Sequence, residues 1–503
     1  MNLSFEQFAK EAKCSKIIGI GTSMYCDHET AVTLADRYID EEYFFLLESA
    51  TSGPANVARY SFLGFEPLWL WQCQDQKILQ KLNNSEMHSV LEGKNPIACM
   101  YEDFSKLKLT SMFSSKDGVR SMDLSTLGGA VGYIGFDVCA KLEPKIGHPP
   151  KKELGLPDLL FYIPRNFMVL DQLTRQLHVY RYVSVDKCEE DSLQKLYDYE
   201  MEQFETLVAD LAKVHMPPPI RVKSDKIDYD KMKSSFSKEK FFNAAQQCLH
   251  EIRRGEIFQV QIGNRLSCET TARPFDIFRH LRVLNPSPYM FFYKFNEHHI
   301  LGSSPEIMVG VEEKTAIHRP IAGTRKRKWD FAKDQLMKSE LVNSEKERAE
   351  HIMLVDLSRN DLGRIAEVGT VKVDELMIVE EYSHVFHMVS QVSCAVRKNF
   401  NPADVMSFSF PNGTVSGAPK VRAIEIIYEH EPVSREFYAG SLALFDFAGN
   451  LKSTILIRSI YLANGVAATQ ASAGMVFDSI VDQEWLETRN KMAACVTVMQ
   501  NTI

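Results

Sequence analysis

Three consecutive prolines, Pro217 to Pro219, interrupt this chain of 503 residues near its middle. Proline fixes φ and has no amide hydrogen, so neither a helix nor a central strand can run through such a segment. The charged stretch that follows, up to Lys226, has the character of a solvated connection. The sequence therefore predicts an N-terminal region over 1–212, a linker over 213–226 and a second region over 227–503. A chain of this length exceeds one average domain, so two or three domains or one large composite core are expected.

Apolar periodicity predicts a mixture of strands and helices. Short apolar runs and one alternating, half-buried pattern predict strands at 44–48, 177–183, 257–262 and 289–293. Helical spacing predicts helices at 190–213, 344–366 and 483–499. Because these elements do not alternate strictly as β-α-β units, the predicted fold class is α+β.

Charge and composition narrow the classes of function. The formal net charge is -8 with no strongly basic block, which disfavours binding to nucleic acids or anionic membranes. No apolar stretch approaches the about 20 residues that span a bilayer, and residues 1–6 do not resemble a signal peptide. The ten cysteines are scattered without metal or redox spacing. We therefore expect a cytoplasmic protein with reduced thiols.

Two predicted helices each carry a Glu-x-x-Glu pair, Glu347 with Glu350 and Glu484 with Glu487. Residues three apart share a helix face, so each pair points its carboxylates in one direction. Four converging carboxylates would require a cation, and hard oxygen ligands suit Mg²⁺. Each pair also has a local explanation, because Ser344-x-x-Glu347 fits a capping box and Glu487 with Lys491 fits an i,i+4 ion pair. From the pattern alone, solvated helix faces are the more frequent explanation.

Two further segments carry chemically capable side chains. His384 and His387 lie within 382–390, and histidine has a suitable pKa for proton transfer, although most histidines are structural. The glycine-bearing loop 410–420 ends in Lys420 and could hold an anion through backbone amides and that lysine. Its spacing is not that of a P-loop, and the alternative is a tight turn before a helix. The chain has no Gly-x-Cys-x-Gly elbow, so it shows no glutaminase nucleophile.

Several of these segments together resemble the chorismate-utilising enzymes, and among them the anthranilate synthases. The blocks that carry the resemblance, in the order usual for that family, are 320–325, 347–364, 382–390, 410–420, Arg458 and 484–491. The likeness extends from about residue 40 to the C-terminus, and it implies a large two-part α/β sandwich with antiparallel-rich sheets. It implies an aminase-lyase that converts chorismate and ammonia to anthranilate and pyruvate with Mg²⁺ as cofactor, the first step of tryptophan biosynthesis.

The resemblance also implies roles for individual residues. The metal would be held by Glu347, Glu350, Glu484 and Glu487. The catalytic residues would be Glu306, which would protonate the departing C4 hydroxyl, together with Thr324 and His387, which would assist loss of pyruvate. Substrate would be bound by Gly323, Tyr438, Arg458, Ser472, Ala473, Gly474 and Lys491.

Within the family, two positions distinguish the attacking nucleophile. Isochorismate and salicylate synthases resembling this chain use a lysine where Gln259 stands, and aminodeoxychorismate synthases often have a lysine at the position of Ala322. Because neither lysine is present, the resemblance favours ammonia as the nucleophile. Two alternatives remain: an aminodeoxychorismate or aminodeoxyisochorismate synthase, and an inactive tryptophan-binding regulatory subunit.

Regulation and partnership follow from the same likeness. Two blocks resemble the tryptophan feedback site of anthranilate synthases, and their implied ligands are Glu48, Ser49, Arg59, Asn285, Pro286, Tyr289 and Met290. A separate glutamine amidotransferase subunit, component II, is expected to supply ammonia. Two positions depart from the family pattern, because Ala439 and Ser472 stand where glycines are usual. Their side chains are expected to narrow the pocket or change its backbone angles.

Overall fold

The computed structural model describes residues 4–49, 59–83, 85–114, 128–186, 188, 190–223, 225–382 and 385–503. The helices are α1 Phe5–Ala12, α2 Ala31–Tyr38, α3 Pro96–Ser105, α4 Cys139–Leu142, α5 Glu190–Leu211, α6 Lys238–Arg253, α7 Pro274–Leu284, α8 Phe331–Asn343, α9 Glu345–Gly363, α10 Pro402–Ser409, α11 Lys420–His430 and α12 Val481–Asn501. Up to the middle of the chain, the strands are β1 Ile17–Tyr25, β2 Tyr43–Glu48, β3 Tyr60–Gln74, β4 Lys77–Leu82, β5 Ser85–Val90, β6 Leu109–Ser114, β7 Gly129–Ile134, β8 Leu159–Asp171, β9 Gln176–Ser184, β10 Lys233–Ser234 and β11 Gln259–Glu269. The remaining strands are β12 Tyr289–Phe295, β13 His298–Ser304, β14 Gly310–Glu312, β15 Thr315–His318, β16 Ile321–Lys326, β17 Lys372–Glu381, β18 Val385–Ala395, β19 Gly417–Ala418, β20 Ser441–Asp446, β21 Leu451–Ile455, β22 Ser459–Ala463 and β23 Val466–Met475.

Strands from both halves of the sequence pair with one another. β2 lies between β3 and β12, and β7 pairs with β20. β12 continues through β13, β22 and β23 to β11, with each pair antiparallel. β1 and β6 run parallel. The predicted α+β class with antiparallel-rich sheets is confirmed.

The predicted elements are present with small shifts of their ends, but β9 is more buried than predicted. Every residue from Leu177 to Ser184 is buried. Leu177 and Val179 pack into one hydrophobic cluster, whereas Tyr180 and Tyr182 pack into another. The prediction of a half-buried strand is therefore wrong, because β9 has an apolar core on each side.

The proline segment is irregular in the structure. It follows the end of α5 at Leu211, and Val222 forms an isolated bridge with Thr502. Because strands of the two predicted regions share hydrogen bonds, they meet within common sheets. The domain boundary at 213–226 stays a prediction. Across the described ranges, no helix has both the length and the apolar composition needed to cross a bilayer, and Cys26, Cys73, Cys139, Cys248, Cys394 and Cys495 are buried free thiols.

Candidate active site

The two Glu-x-x-Glu pairs lie on α9 and α12. The ion pair expected on α12 is present, whereas only the serine half of the capping box expected on α9 is, because Glu347 Oε1 accepts from Arg325 Nη1 at 3.0 Å instead. The backbone amide of Glu347 donates to the Ser344 hydroxyl at 3.4 Å, which caps α9. Lys491 Nζ lies 2.7 Å from Glu487 Oε1 one turn along α12. These interactions fix the start of one helix and one exposed face of the other, and they leave Glu350 and Glu484 free for another task.

The carboxylates of the two helices act on one another electrostatically. Burial raises the pKa of Glu350, and the negative charges of Glu347 and Glu487 raise it further. Burial also raises the pKa of Glu484, with Glu487 adding to the effect. Glu484 Oε2 is buried and, among the described residues, has no hydrogen-bond partner. Buried, mutually repelling carboxylates are unfavourable without a compensating cation.

This donor set fits a hard divalent cation. Carboxylate oxygens from two facing helices are the ligands that Mg²⁺ accepts, and Mg²⁺ usually retains several waters of its own. Within the part of the chain that the structure describes, no three His, Cys, Asp or Glu side chains lie together as a metal-binding group. The assignment of the four glutamates to Mg²⁺ therefore stays a prediction.

Glu306 is the most strongly perturbed acid near this cluster. Its side chain is only 6% exposed, and Oε1 has no hydrogen-bond partner within the described ranges. Burial raises the pKa of Glu306 to about 7, against the opposing effects of Thr414, Lys491 and Arg458. A carboxyl group of this kind keeps its proton near neutral pH and can act as a general acid.

His387 on β18 has the opposite character. Burial, followed by the charge of Arg458, lowers the pKa of His387 to about 4. Its Nδ1 lies 3.0 Å from Thr324 Oγ1 and 3.3 Å from the carbonyl oxygen of Gly323. Because a carbonyl oxygen only accepts, the second contact places the ring proton on Nδ1 and leaves Nε2 free to accept a proton.

Gly323 is a position at which only glycine fits. Its φ is +68°, and a Cβ there would lie 2.6 Å from Leu341 Cδ1 and 3.0 Å from Glu347 Oε2. A glycine at this position therefore lets β16 pass close to the metal-side glutamate while its carbonyl orients His387.

A buried chain of hydroxyl and amide groups surrounds Tyr438. Tyr438 Oη lies 2.8 Å from Ser472 Oγ, and Ser472 donates to Gln261 Oε1 at 3.0 Å. Lys491 Nζ donates to the carbonyl oxygen of Ser472 at 2.9 Å. Because the Ser472 hydroxyl donates its only proton to Gln261, it can only accept a hydrogen bond from the Tyr438 hydroxyl. The serine that replaces a usual glycine therefore engages the phenol proton expected to meet substrate.

Ala439, the other unusual position, has φ = +61°. The left-handed region is unfavourable for a residue with a Cβ, by about 1–2 kcal/mol. Its amide donates to the carbonyl oxygen of Leu456 at 3.0 Å. The backbone therefore keeps a conformation that suits glycine, and the methyl group adds strain.

Other predicted residues are placed as follows. Arg458 is extensively desolvated, which lowers its pKa, and its charge acts on both Glu306 and His387. Ala473 and Gly474 follow Ser472 on β23, opposite Ile262 and Gln261 of β11. His384 lies outside the described residues. Lys420 donates to Asp361 Oδ2 at 2.9 Å, so its expected role as a ligand for a bound anion is corrected to a structural ion pair.

Some of the residues that were predicted to bind tryptophan line a separate cavity of about 660 Å³. Glu48, Ser49, Tyr289 and Met290 line it. Arg59 instead forms an ion pair with Asp171 at 2.7 Å, and the Asn285 amide donates to Ser303 Oγ at 2.9 Å. Arg59, Asn285 and Pro286 are not among the described residues that line the cavity.

Comparison with known proteins identifies the family. The model of the chorismate binding enzymes matches residues 66–497. The chain belongs to this family. It is 37% identical over 496 residues to anthranilate synthase component 1 of Acetivibrio thermocellus, covering 97% of this chain and 96% of that protein. Against anthranilate synthase component 1 of Neisseria gonorrhoeae it is 35% identical over 500 residues, covering 98% and 97%.

Solved structures give the same result. Anthranilate synthase component I from Streptococcus pneumoniae has a TM-score of 0.72 at 32% identity, covering 88% of this chain and 92% of that one. A menaquinone-specific isochorismate synthase from Escherichia coli has a TM-score of 0.69 at 18% identity, covering 99% of each chain. The second match concerns the fold alone. The family resemblance found in the sequence is confirmed.

Sequence reasoning missed three side chains around the site. Gln261 was passed over, although it alternates with Gln259 and so faces the same side of β11. Tyr382 packs edge-on to His387 with ring centroids 5.4 Å apart. Arg319 lines the separate cavity and donates to Glu380 Oε1 at 2.6 Å. Tyr382 is the first residue of the block 382–390 but was given no role, and Arg319 directly precedes the block 320–325; these positions were the signals that could have identified them.

Proposed function

We propose that this chain is the aminase-lyase component of an anthranilate synthase, which converts chorismate and ammonia to anthranilate and pyruvate. The observation that carries the proposal is a pair of buried groups beside Arg458 whose pKa values are shifted in opposite directions. Glu306 is an acid that keeps its proton near neutral pH, and His387 is a neutral base. Amination followed by elimination needs one group of each kind.

In this proposal Tyr438 and Arg458 bind the enolpyruvyl carboxylate, for which a planar guanidinium is well suited. Glu306 protonates the C4 hydroxyl, which leaves as water while ammonia adds at C2, and the new ammonium group then loses one proton, which restores the Glu306 carboxyl. His387 Nε2 then removes the C2 proton as the C–O bond to pyruvate breaks. The departing enolpyruvate takes up a proton, and the ring becomes aromatic.

Ammonia is the proposed nucleophile because two positions lack an amine. Gln259 on β11 and Ala322 on β16 are both buried, and neither can activate water or form a covalent amine adduct. An enzyme that stops at the aminated ring is the second candidate. The neutral His387, oriented by Gly323 and Thr324, favours elimination instead.

Glu347, Glu350, Glu484 and Glu487 are proposed to hold Mg²⁺. When bound, the ion would neutralise the ring carboxylate of chorismate. The mutual repulsion of these glutamates and the unpaired Glu484 Oε2 support this assignment.

We further propose that the separate cavity binds tryptophan as a feedback inhibitor. Glu48 Oε2 and Ser49 Oγ are buried without a hydrogen-bond partner among the described residues, so they can receive an ammonium group. Tyr289, Met290 and other apolar side chains line the remaining wall and suit an indole. A glutamine amidotransferase is the proposed ammonia-supplying subunit, because this sequence has no glutaminase elbow.

The test is a product assay on the purified chain with chorismate, Mg²⁺ and an ammonium salt. Anthranilate fluorescence should appear, and it should be faster at higher pH because more of the ammonium is present as ammonia. Glutamine should replace ammonium only after an amidotransferase subunit is added. Accumulation of an aminated ring that keeps its enolpyruvyl group would favour the second candidate, and formation of isochorismate would refute amination.

A further inference from the structure

We propose that Arg319 couples the cavity to His387, so that an apolar α-amino acid bound in the cavity alters the lyase base through the path Arg319, Glu380 and Tyr382. This inference rests on the proposed function, since it explains how the cavity would regulate the site. It adds Arg319 to the residues that would bind the ligand, and it names the contacts through which ligand binding would affect His387. Neither residue 319 nor residue 380 belongs to the set expected from the sequence.

The cavity holds buried polar atoms whose chemistry matches an amino acid. Arg319 lines its wall, and Arg319 Nε is buried without a hydrogen-bond partner in the described part of the chain. Glu48 Oε2 and Ser49 Oγ are unsatisfied in the same way. A ligand carboxylate would satisfy the guanidinium N–H, and a ligand ammonium group would satisfy the carboxylate and hydroxyl oxygens. Apolar side chains, among them Leu47, Phe62 and Phe291, make up much of the rest of the lining and favour a ligand with a large apolar side chain.

A second nitrogen of the Arg319 guanidinium contacts β17, the strand that pairs with the His387 strand β18. Nη2 donates to Glu380 Oε1 at 2.6 Å, and the hydroxyl of Tyr382 donates to Glu380 Oε2 at 2.6 Å. The Tyr382 ring then packs edge-on to the His387 ring at 5.4 Å. Glu380 is also the register partner of His387 in the β17–β18 pair. An unbroken set of contacts thus joins the cavity wall to the proposed base.

A carboxylate in the cavity would compete with Glu380 for one cation. A guanidinium can bind two carboxylates, but its planar fork fixes where each must lie. If the Arg319 guanidinium moves toward the ligand carboxylate, its hydrogen bond to Glu380 weakens. Glu380 can then move, the Tyr382 hydroxyl loses its acceptor, and the packing of the Tyr382 ring against His387 changes. Coupling between two sites of this kind typically changes affinity by about 5- to 150-fold.

The experiment separates binding from its consequence, using L-tryptophan as the probe. Binding is measured by calorimetry and inhibition by anthranilate formation with ammonium. Glu380→Gln should bind L-tryptophan within about threefold of the unaltered chain yet be inhibited much less. Arg319→Gln should lose at least about tenfold in affinity, as expected for loss of a charged hydrogen bond. Glu375→Gln is the matched control, because Glu375 Oε2 also meets Arg319 Nη2, at 3.4 Å, without reaching Tyr382; it should behave as the unaltered chain does.

Each contrary outcome has a distinct meaning. Full inhibition of Glu380→Gln would overturn the route, and unchanged affinity in Arg319→Gln would overturn the contact. If Arg319→Gln does not fold, Arg319→Lys keeps the charge without the fork and should still lose affinity, and unchanged affinity there would also overturn the contact. If the unaltered chain makes anthranilate but binds no L-tryptophan, this inference fails with the regulatory proposal while the catalytic proposal stands.

Discussion

Replacing Glu306 with Gln should make the protein more stable and nearly inactive, and the gain in stability should depend on pH. The substitution keeps the shape of the side chain and removes its titration. In the folded protein burial raises the pKa of Glu306 from 4.5 to about 7. Each factor of ten in an ionisation constant corresponds to about 1.4 kcal/mol, so the change amounts to about 3 kcal/mol.

Whether Glu306 raises or lowers the free energy of unfolding depends on whether the folded or the unfolded state ionises at the lower pH. Below pH 4.5 the carboxyl is protonated in both states, and Glu306 has no net effect on stability. Between pH 4.5 and about 7 only the unfolded chain ionises, so the folded state loses stability progressively. Above about pH 7 the loss is complete. Glu306→Gln should therefore match the unaltered chain near pH 4.5 and exceed it by up to about 3 kcal/mol at pH 8.

The assay is urea unfolding of both proteins at several pH values, with anthranilate formation measured in parallel. Glu269→Gln, at the exposed end of β11, is a control for replacing a carboxyl group elsewhere on the same chain. A stability difference that is the same at pH 5 and pH 8 would refute the argument that Glu306 is held protonated by burial. Retained activity in Glu306→Gln would refute its role as the acid.

Three further predictions concern other parts of the site. Glu350→Gln or Glu487→Gln should lower turnover by orders of magnitude, and near-normal rates in both at saturating Mg²⁺ would exclude the proposed metal site. His387→Met should still aminate chorismate but release an aminated intermediate, detected by mass spectrometry; a variant that consumes no chorismate would contradict a role limited to elimination. Ser472→Gly should free the phenol proton it now accepts and lower KM for chorismate about 2- to 10-fold, the value of one hydrogen bond, and a raised KM would show that the serine assists binding instead.

Local features of the fold could be predicted from the sequence. The start of α9 was visible because a serine precedes a glutamate by three positions, and that capping contact is present. β2 and β12 were visible as short apolar runs. The burial of β9 was not, since the alternation of residues 177–183 predicted one exposed face. Arg181 is instead neutralised by Glu200 of α5 at 2.6 Å, a contact that local sequence does not contain.

In the site too, some features could be predicted from the sequence and others could not. The glutamate pairs could be found because helical periodicity fixes their common face. The contact of Tyr438 with Ser472 and Gln261 joins positions on separate elements, and the route from Arg319 to His387 passes from β17 to β18. Long-range side-chain geometry of this kind depends on strand register, which one sequence does not specify.

The most direct test of the central claim is to follow [¹⁵N]ammonium through a single reaction. The purified chain, chorismate and Mg²⁺ should yield anthranilate carrying one ¹⁵N atom, together with one equivalent of pyruvate. That result would show amination and elimination in one chain, as the paired behaviour of Glu306 and His387 requires. Consumption of chorismate without ¹⁵N in the ring product, or a labelled product that keeps its enolpyruvyl group, would contradict the account.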